Sequence, residues 1–568
     1  MKTKRIVALM ATLLMGASTA SAFSACGGVK RTDEGYDATK ANLSVATFDG
    51  GIGRAWLDDA AARFMELHKD STHFQEGRTG VNINIDAEKS KYSGQNLAGK
   101  PLLKDMYFTE GIDYYSFVNE GKVATITDVV TNDLTAYGES GTIEEKLDSS
   151  FQEFLTAKDG NYYMLPFYDG FYGFIYDIDL FEEAGFYYDV DGDFLKLKKD
   201  EDGNASAEDR AEFEAAKANG PDGKKGTYDD GLPSTYAEFI ALADHIVEVG
   251  YVPFCYSGTY YDYVDKACRA FIADYEGYEG FKANYTFDGT VEVVKNVISD
   301  WVVQTETVTL HPDENGFVEN GYELQRQAGK YYALKMQESL FSNVNYLGGT
   351  WNGFDYTVAQ AEFIKSKYSN KRYAMLLEGV WWENEAEPTF QLLETTRGEK
   401  KSDRNFGWLP MPKVDEDRVA QQQDQTLFSA NSSFGFINAS CENMELAKEF
   451  MRFLHTDAEM SKFTAKTSIT RSLQYPIDDA DKAMATGFGK SIMEIRSNAK
   501  VVYPYSALNM VIDNASSFTQ EIWYLVSATN GKNLKSPFNA FKNKTATAKD
   551  YFNGLYSYQK GHWNTLQK

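Results

Sequence analysis

The chain has 568 residues, with 83 Asp plus Glu against 57 Lys plus Arg and a formal net charge of −26. A surface this acidic repels nucleic acid and anionic lipid, and suits a neutral or cationic ligand. The length exceeds what one hydrophobic core serves, so at least two lobes are expected.

In chain order, Lys2, Lys4 and Arg5 form a basic start before the apolar run Ile6 to Met15. That run is shorter than the ~20 residues that span a bilayer, so residues 1–25 read as a signal peptide. Two cleavage readings compete. Ala20-Ser21-Ala22 suits release, whereas Phe23-Ser24-Ala25-Cys26 suits a bacterial lipobox, with Phe23 where leucine is usual. The lipobox reading makes Cys26 a lipidated, palmitate-carrying first residue and residues 26–42 a polar, glycine-containing tether. Removing residues 1–25 takes off three positive and no negative charges, leaving 543 residues at −29. Nothing later approaches a membrane-spanning length. Cys255, Cys268 and Cys441 then allow at most one disulfide, with Cys255 and Cys268 the nearer pair, and three buried free thiols are the expected state.

Leu43 to Phe48 reads as a strand, Asp49-Gly50-Gly51-Ile52-Gly53 as a tight turn, and Leu57, Ala60, Ala61, Phe64 and Leu67 as one face of a helix. Val81 to Ile85 alternates as a half-buried strand does. Thr235 and Glu238 stand at capping-box spacing before a helix with Phe239, Leu242, Ile246 and Val249 on one face, ended by Gly250. Another helix carries Leu446, Phe450, Phe453 and Leu454. Strand, loop, helix, strand is the pattern of doubly wound α/β lobes, whose ligands sit beyond the carboxyl ends of strands. The six histidines include no H-E-x-x-H motif, and Gly487 to Ser491 ends like a nucleotide loop but has Met484 where its first glycine belongs.

Tyr373 to Glu385 (YAMLLEGVWWENE) sets adjacent Trp381 and Trp382 among carboxylates after an apolar run and a glycine, a composition that suits a ligand-stacking platform. The segment resembles the A-M-x-x-x-G-x-W signature of family 1 extracellular solute-binding proteins, relatives of maltose-binding protein. Residues 161–186, 233–240 (PSTYAEFI), 405–412 (NFGWLPMP) and 431–454 resemble further segments of that family, in the family's order. The resemblance implies a two-lobed type II periplasmic-binding-protein fold with a hinge. Residues 43–165 and 432–475 would form the N-terminal lobe, and 166–431 with 476–568 the C-terminal lobe. The chain would cross between them near Leu165–Asp169, Phe428–Ser433 and Arg471–Pro476.

Against that pattern, residues 187–232 are an acidic insertion. Asp189, Asp191 and Asp193, with Asp222, Asp229 and Asp230, cluster carboxylates around glycine turns in the oxygen-rich manner calcium prefers, although Phe194 stands where a calcium-binding helix-loop-helix needs glycine. An acidic surface hairpin is the plain alternative. No other cofactor is expected.

Aromatics make up 14% of the chain, with 37 tyrosines, and their flat faces and polar edges match pyranose rings. The expected ligand-binding residues are Asp49, Trp56, Tyr107, Tyr114, Tyr168, Asp169, Trp351, Trp381, Trp382 and Glu383. The expected function is a non-catalytic, monomeric substrate-binding lipoprotein of an ABC importer. It would sit on the extracellular face of the bacterial cytoplasmic membrane and deliver a carbohydrate, an oligosaccharide by preference, to membrane permease subunits. The rival readings are a secreted glycoside hydrolase, which needs two suitably spaced carboxylates, and a receptor for a peptide-like solute.

Overall fold

The computed structural model describes residues 35–351, 353–430, 432–513 and 536–563. The signal peptide, Cys26 and most of the tether lie outside the described residues. Along the chain run β1 (Ala41–Thr47), β2 (Val81–Ala87), β3 (Met106–Glu110), β4 (Met164–Pro166), β5 (Tyr172–Asp177), β6 (Tyr187–Tyr188), β7 (Phe194–Leu195), β8 (Val252–Cys255), β9 (Gly289–Ser299) and β10 (Val302–Leu310). They continue as β11 (Tyr373–Gly379), β12 (Phe406–Leu409), β13 (Thr426–Phe428), β14 (Ser433–Ile437) and β15 (Lys500–Val502).

Two separate sheets carry the architecture. The first has the order β2-β1-β3-β14-β4, with β1 parallel to β2 and β3, and β14 antiparallel to β3 and β4. The second has the order β12-β5-β11-β8, with β5 antiparallel to its neighbours and β11 parallel to β8. Burial follows position. Edge strand β2 buries Val81 and Ile83 and leaves the residues between them half-buried, whereas β11 and β14 are buried along their whole length, as strands covered on both faces must be. The helix Ala55–Leu67 buries Trp56, Leu57, Ala60, Ala61 and Phe64, while Leu67 is exposed. The helix Tyr236–Glu248 opens on the expected Thr235–Glu238 capping box, but Val249 falls at its cap and is exposed.

Because β14 belongs to the first sheet and comes late in the chain, each lobe is discontinuous. The chain passes from β4 to β5 through residues 167–171 and returns from β13 to β14 through residues 429–432. These segments are tied together: Ala430 N donates to Gly170 O (2.9 Å), Gly170 N to Ser429 Oγ (3.0 Å), and Asp169 N to Thr470 O (2.8 Å). The first strand begins at Ala41, two residues before the expected boundary, because Ala41 and Asn42 already pair with Val81 and Asn82.

The insertion is a docked unit, more than a hairpin. β6 and β7 pair antiparallel, and the helix Ala207–Ala216 follows. Tyr187 packs edge-on against Phe213 (5.6 Å), Phe194 stacks on His245 (3.8 Å), and Arg210 forks onto Glu182 (2.8 and 3.0 Å). The antiparallel ribbon β9–β10 was not foreseen. Cys255, Cys268 and Cys441 are free, the first two buried and the third half-buried. Among the described residues, no helix is long and apolar enough to cross a membrane.

Candidate functional site

The two lobes meet where the turn after β1 touches the segment after β11. Gly51 has φ +52°, a left-handed value that favours glycine. A Cβ placed there would stand 3.4 Å from Trp381. Trp381 is held in turn by Gly379, where an added Cβ would lie 2.3 Å from the indole, so the ring can fold back over the strand end only because that position has no side chain. Tyr172, opening β5, meets Trp381 edge-on (5.0 Å) and Tyr263 edge-on (5.5 Å), and Tyr263 stacks on Tyr356 (6.0 Å, 4°). Four aromatic rings thus form one wall of the junction.

Carboxylates line the same place. Glu385 Oε1 accepts the Gly51 backbone N–H (3.2 Å) and lies 3.4 Å from Lys89 Nζ, both from the first lobe. Its Oε2 accepts from Gln360 Nε2 (3.0 Å), which also donates to Glu378 (3.1 Å). Glu378 is buried at the end of β11, and burial first, then neighbouring Glu385, push its carboxyl well up. Glu110, at the end of β3, accepts a hydrogen bond from the Tyr168 hydroxyl. Burial pushes the Glu110 carboxyl to about 7, with the Tyr168 bond opposing. Lys266 sits over Tyr172 (5.0 Å) and Lys89 over Tyr356 (5.1 Å). Ringed faces with acceptors between them can stack an apolar ring and take several O–H or N–H donors.

The residues expected at the site divide into three groups. Trp381 and Tyr168 stand at the junction, and Asp49 is exposed in its turn. Trp56, Tyr107, Tyr114, Trp382 and Glu383 are packed inside a lobe. Trp56 lies among Phe108, Phe167 and Phe463, and Tyr107 stacks on Phe436. Tyr114 donates to Leu155 O (2.6 Å), and Trp382, 0% exposed, is enclosed by Phe363, Phe390, Phe406 and Phe488. Glu383 accepts from Thr486 (2.8 Å). Asp169 is fully buried and uses its oxygens on Thr470 (2.8 Å), Arg496 (3.2 Å) and Tyr503 (3.2 Å), which makes it a tie at the crossing. Trp351 meets Phe538 edge-on (6.1 Å), with Lys542 over its ring.

The acidic insertion shows no metal-like convergence. Asp189 Oδ1 accepts the Asp191 and Asp193 amides (2.9 Å each), Asp229 accepts the Asp222 amide (2.8 Å), and Asp230 accepts the Gly226 amide (2.8 Å). Among the described residues, no three acidic, histidine or cysteine side chains are placed to hold a metal.

Glu110, Lys89, Tyr172, Tyr263, Lys266, Tyr356, Gln360, Glu378 and Glu385 were not singled out in sequence. Glu378 and Glu385 lie in the segment already read as a platform, and Lys89 and Glu110 follow strand ends. Tyr263 and Tyr356 sit on helices without a motif.

Two α/β sheets, two crossing segments tied to each other and an aromatic wall where the lobes meet define a two-lobed fold. Residues 53–461 match the family described as bacterial extracellular solute-binding protein, and the chain belongs to it. The apo form of RafE from Streptococcus pneumoniae superposes with a TM-score of 0.50 at 12% identity, covering 94% of this chain and 99% of that one. RafE in complex with raffinose gives 0.50 at 14% identity, covering 93% and 100%. At such identities the likeness is one of fold. No curated protein matches the chain in sequence.

Proposed function

We propose that the chain is the substrate-capturing subunit of an ABC importer, closing its lobes on a carbohydrate and handing it to membrane permeases. The observation that carries this reading is the junction itself. Tyr172, Trp381, Tyr263 and Tyr356 form a wall of rings, with Glu110, Glu378 and Glu385 as acceptors where Gly51 and Lys89 meet the opposite lobe. Rings stack the C–H faces of a pyranose and carboxylates take its hydroxyl hydrogens. The raffinose complex of RafE, which shares the fold, supports a sugar as ligand. The reading includes no catalytic step, a monomer, and a lipid anchor on Cys26 at the outer face of the cytoplasmic membrane.

Titrating an oligosaccharide panel by calorimetry, with product analysis on the same samples, tests it. Binding without cleavage is expected; cleavage would make the chain a hydrolase, and a peptide-like solute binding where every sugar fails would remove the carbohydrate. The anchor is tested separately, because acyl chains supply the attachment. Cys26→Ala is expected to release the protein from the membrane fraction, and retention there would sink the lipobox reading.

A further inference from the structure

The ammonium that meets Glu385 at the junction is borrowed from the other lobe. Lys266 Nζ pairs with Asp262 (3.1 Å), and Glu385 pairs with Lys89 (3.4 Å). Lys89 belongs to the first lobe, yet its ammonium donates to Tyr356 Oη of the second (2.8 Å) and pairs with Glu385 (3.4 Å). A primary ammonium between a phenol oxygen and a carboxylate makes charge-assisted contacts that strengthen as water is excluded. When the lobes part, Lys89 leaves with its own lobe and that face of the second lobe loses its cation. Gln360 marks the same deficit. It is 0% exposed, its Nε2 donates to both Glu378 and Glu385, and among the described residues its Oε1 has no donor.

Resting on the carbohydrate reading above, we propose that the cleft selects a sugar bearing a primary ammonium, whose nitrogen takes the place that Lys89 holds against Tyr356 and Glu385. The same site deprived of Lys89 offers such a ligand a carboxylate and a phenol oxygen together. Lys89 therefore competes with the ligand in the empty protein. Burial, with Glu385 nearby, raises the carboxyls of Glu110 and Glu378, so both favour the neutral form beside Glu385. The chain's net charge of −26 steers a cation toward it at long range.

The test is calorimetric titration of the full chain with a glucosamine tetrasaccharide, its N-acetylated counterpart, a neutral glucose tetrasaccharide and spermidine. The free-amine sugar is expected to bind at least about tenfold tighter than the other two sugars. Glu385→Gln should bring the three sugars to within about threefold of each other, whereas Lys89→Met, on a half-exposed side chain, should keep or widen the preference. Melting curves check that each variant is folded. N-acetylated or neutral sugar binding as tightly as the amine, or a preference that survives Glu385→Gln in a folded variant, would overturn the proposal while leaving the carbohydrate reading intact. Spermidine outbinding every sugar would replace the sugar by a polyamine. If no sugar in a broad panel binds, both readings fall together.

Discussion

At the scale of single residues, the adjacent tryptophans separate into two jobs. Trp382 is 0% exposed among four phenylalanines, so Trp382→Ala removes core volume and is expected to cost about 3–5 kcal/mol of stability, read as a fall in melting temperature. Trp381 stands between the lobes. Trp381→Ala is expected to keep the fold and weaken sugar binding by about twentyfold or more, the cost of losing an anchor of about 2 kcal/mol. Equal effects of the two variants on binding would show that the junction is not the site. Asp169 offers a third contrast, since its carboxylate compensates the buried guanidinium of Arg496. Asp169→Ala leaves that charge unpaired at the crossing and is expected to destabilise by about 3–5 kcal/mol, measured by denaturant unfolding.

At the scale of elements, how much could be read beforehand depended on how local the determining signal was. The Thr235–Glu238 cap and the apolar face of the helix after Gly53 are set by residues three or four apart, and both helices form where the spacing put them. Trp381 lies in the segment singled out in the sequence, and Gly379, two residues earlier, leaves the room its ring occupies. The ribbon β9–β10 was not legible: its strands run through Lys, Asn and Gln with little alternation, and register shifts interrupt its pairing. Nor were Tyr263 and Tyr356, since only tertiary packing brings two helix surfaces more than ninety positions apart into one stack. The ties that Asp169 makes were hidden for the same reason, because its partners lie some three hundred residues away. In the insertion, the carboxylates of the glycine turns accept backbone amides, which is how an acidic surface turn is built. Such a turn is expected to melt at the same temperature in excess calcium as in chelator, and an upward shift in calcium would show that the turns hold the metal.

At the scale of the whole molecule, closing the lobes and taking up protons are linked. The Glu110 carboxyl titrates near about 7 against 4.5 for a free glutamate, so between those values the closed junction holds a proton that an open, hydrated one gives up. Raising the pH through that window disfavours closure, and Glu378 acts in the same direction. Scattering profiles of the unliganded protein are expected to become more open from mildly acid to mildly alkaline pH, and Glu110→Gln should flatten the trend. An unchanged profile in the wild type would remove the linkage. The contact of Gly51 and Lys89 with Glu385 has a further consequence for an importer that takes closure as its signal to hydrolyse ATP. A receptor able to shut on nothing sends a false start, and fuel is wasted in proportion to how long the empty form stays shut. Lys89 has a half-exposed side chain and two polar contacts across the gap, so this false start is expected to be brief. A strengthened latch is expected to raise idle consumption without moving any cargo.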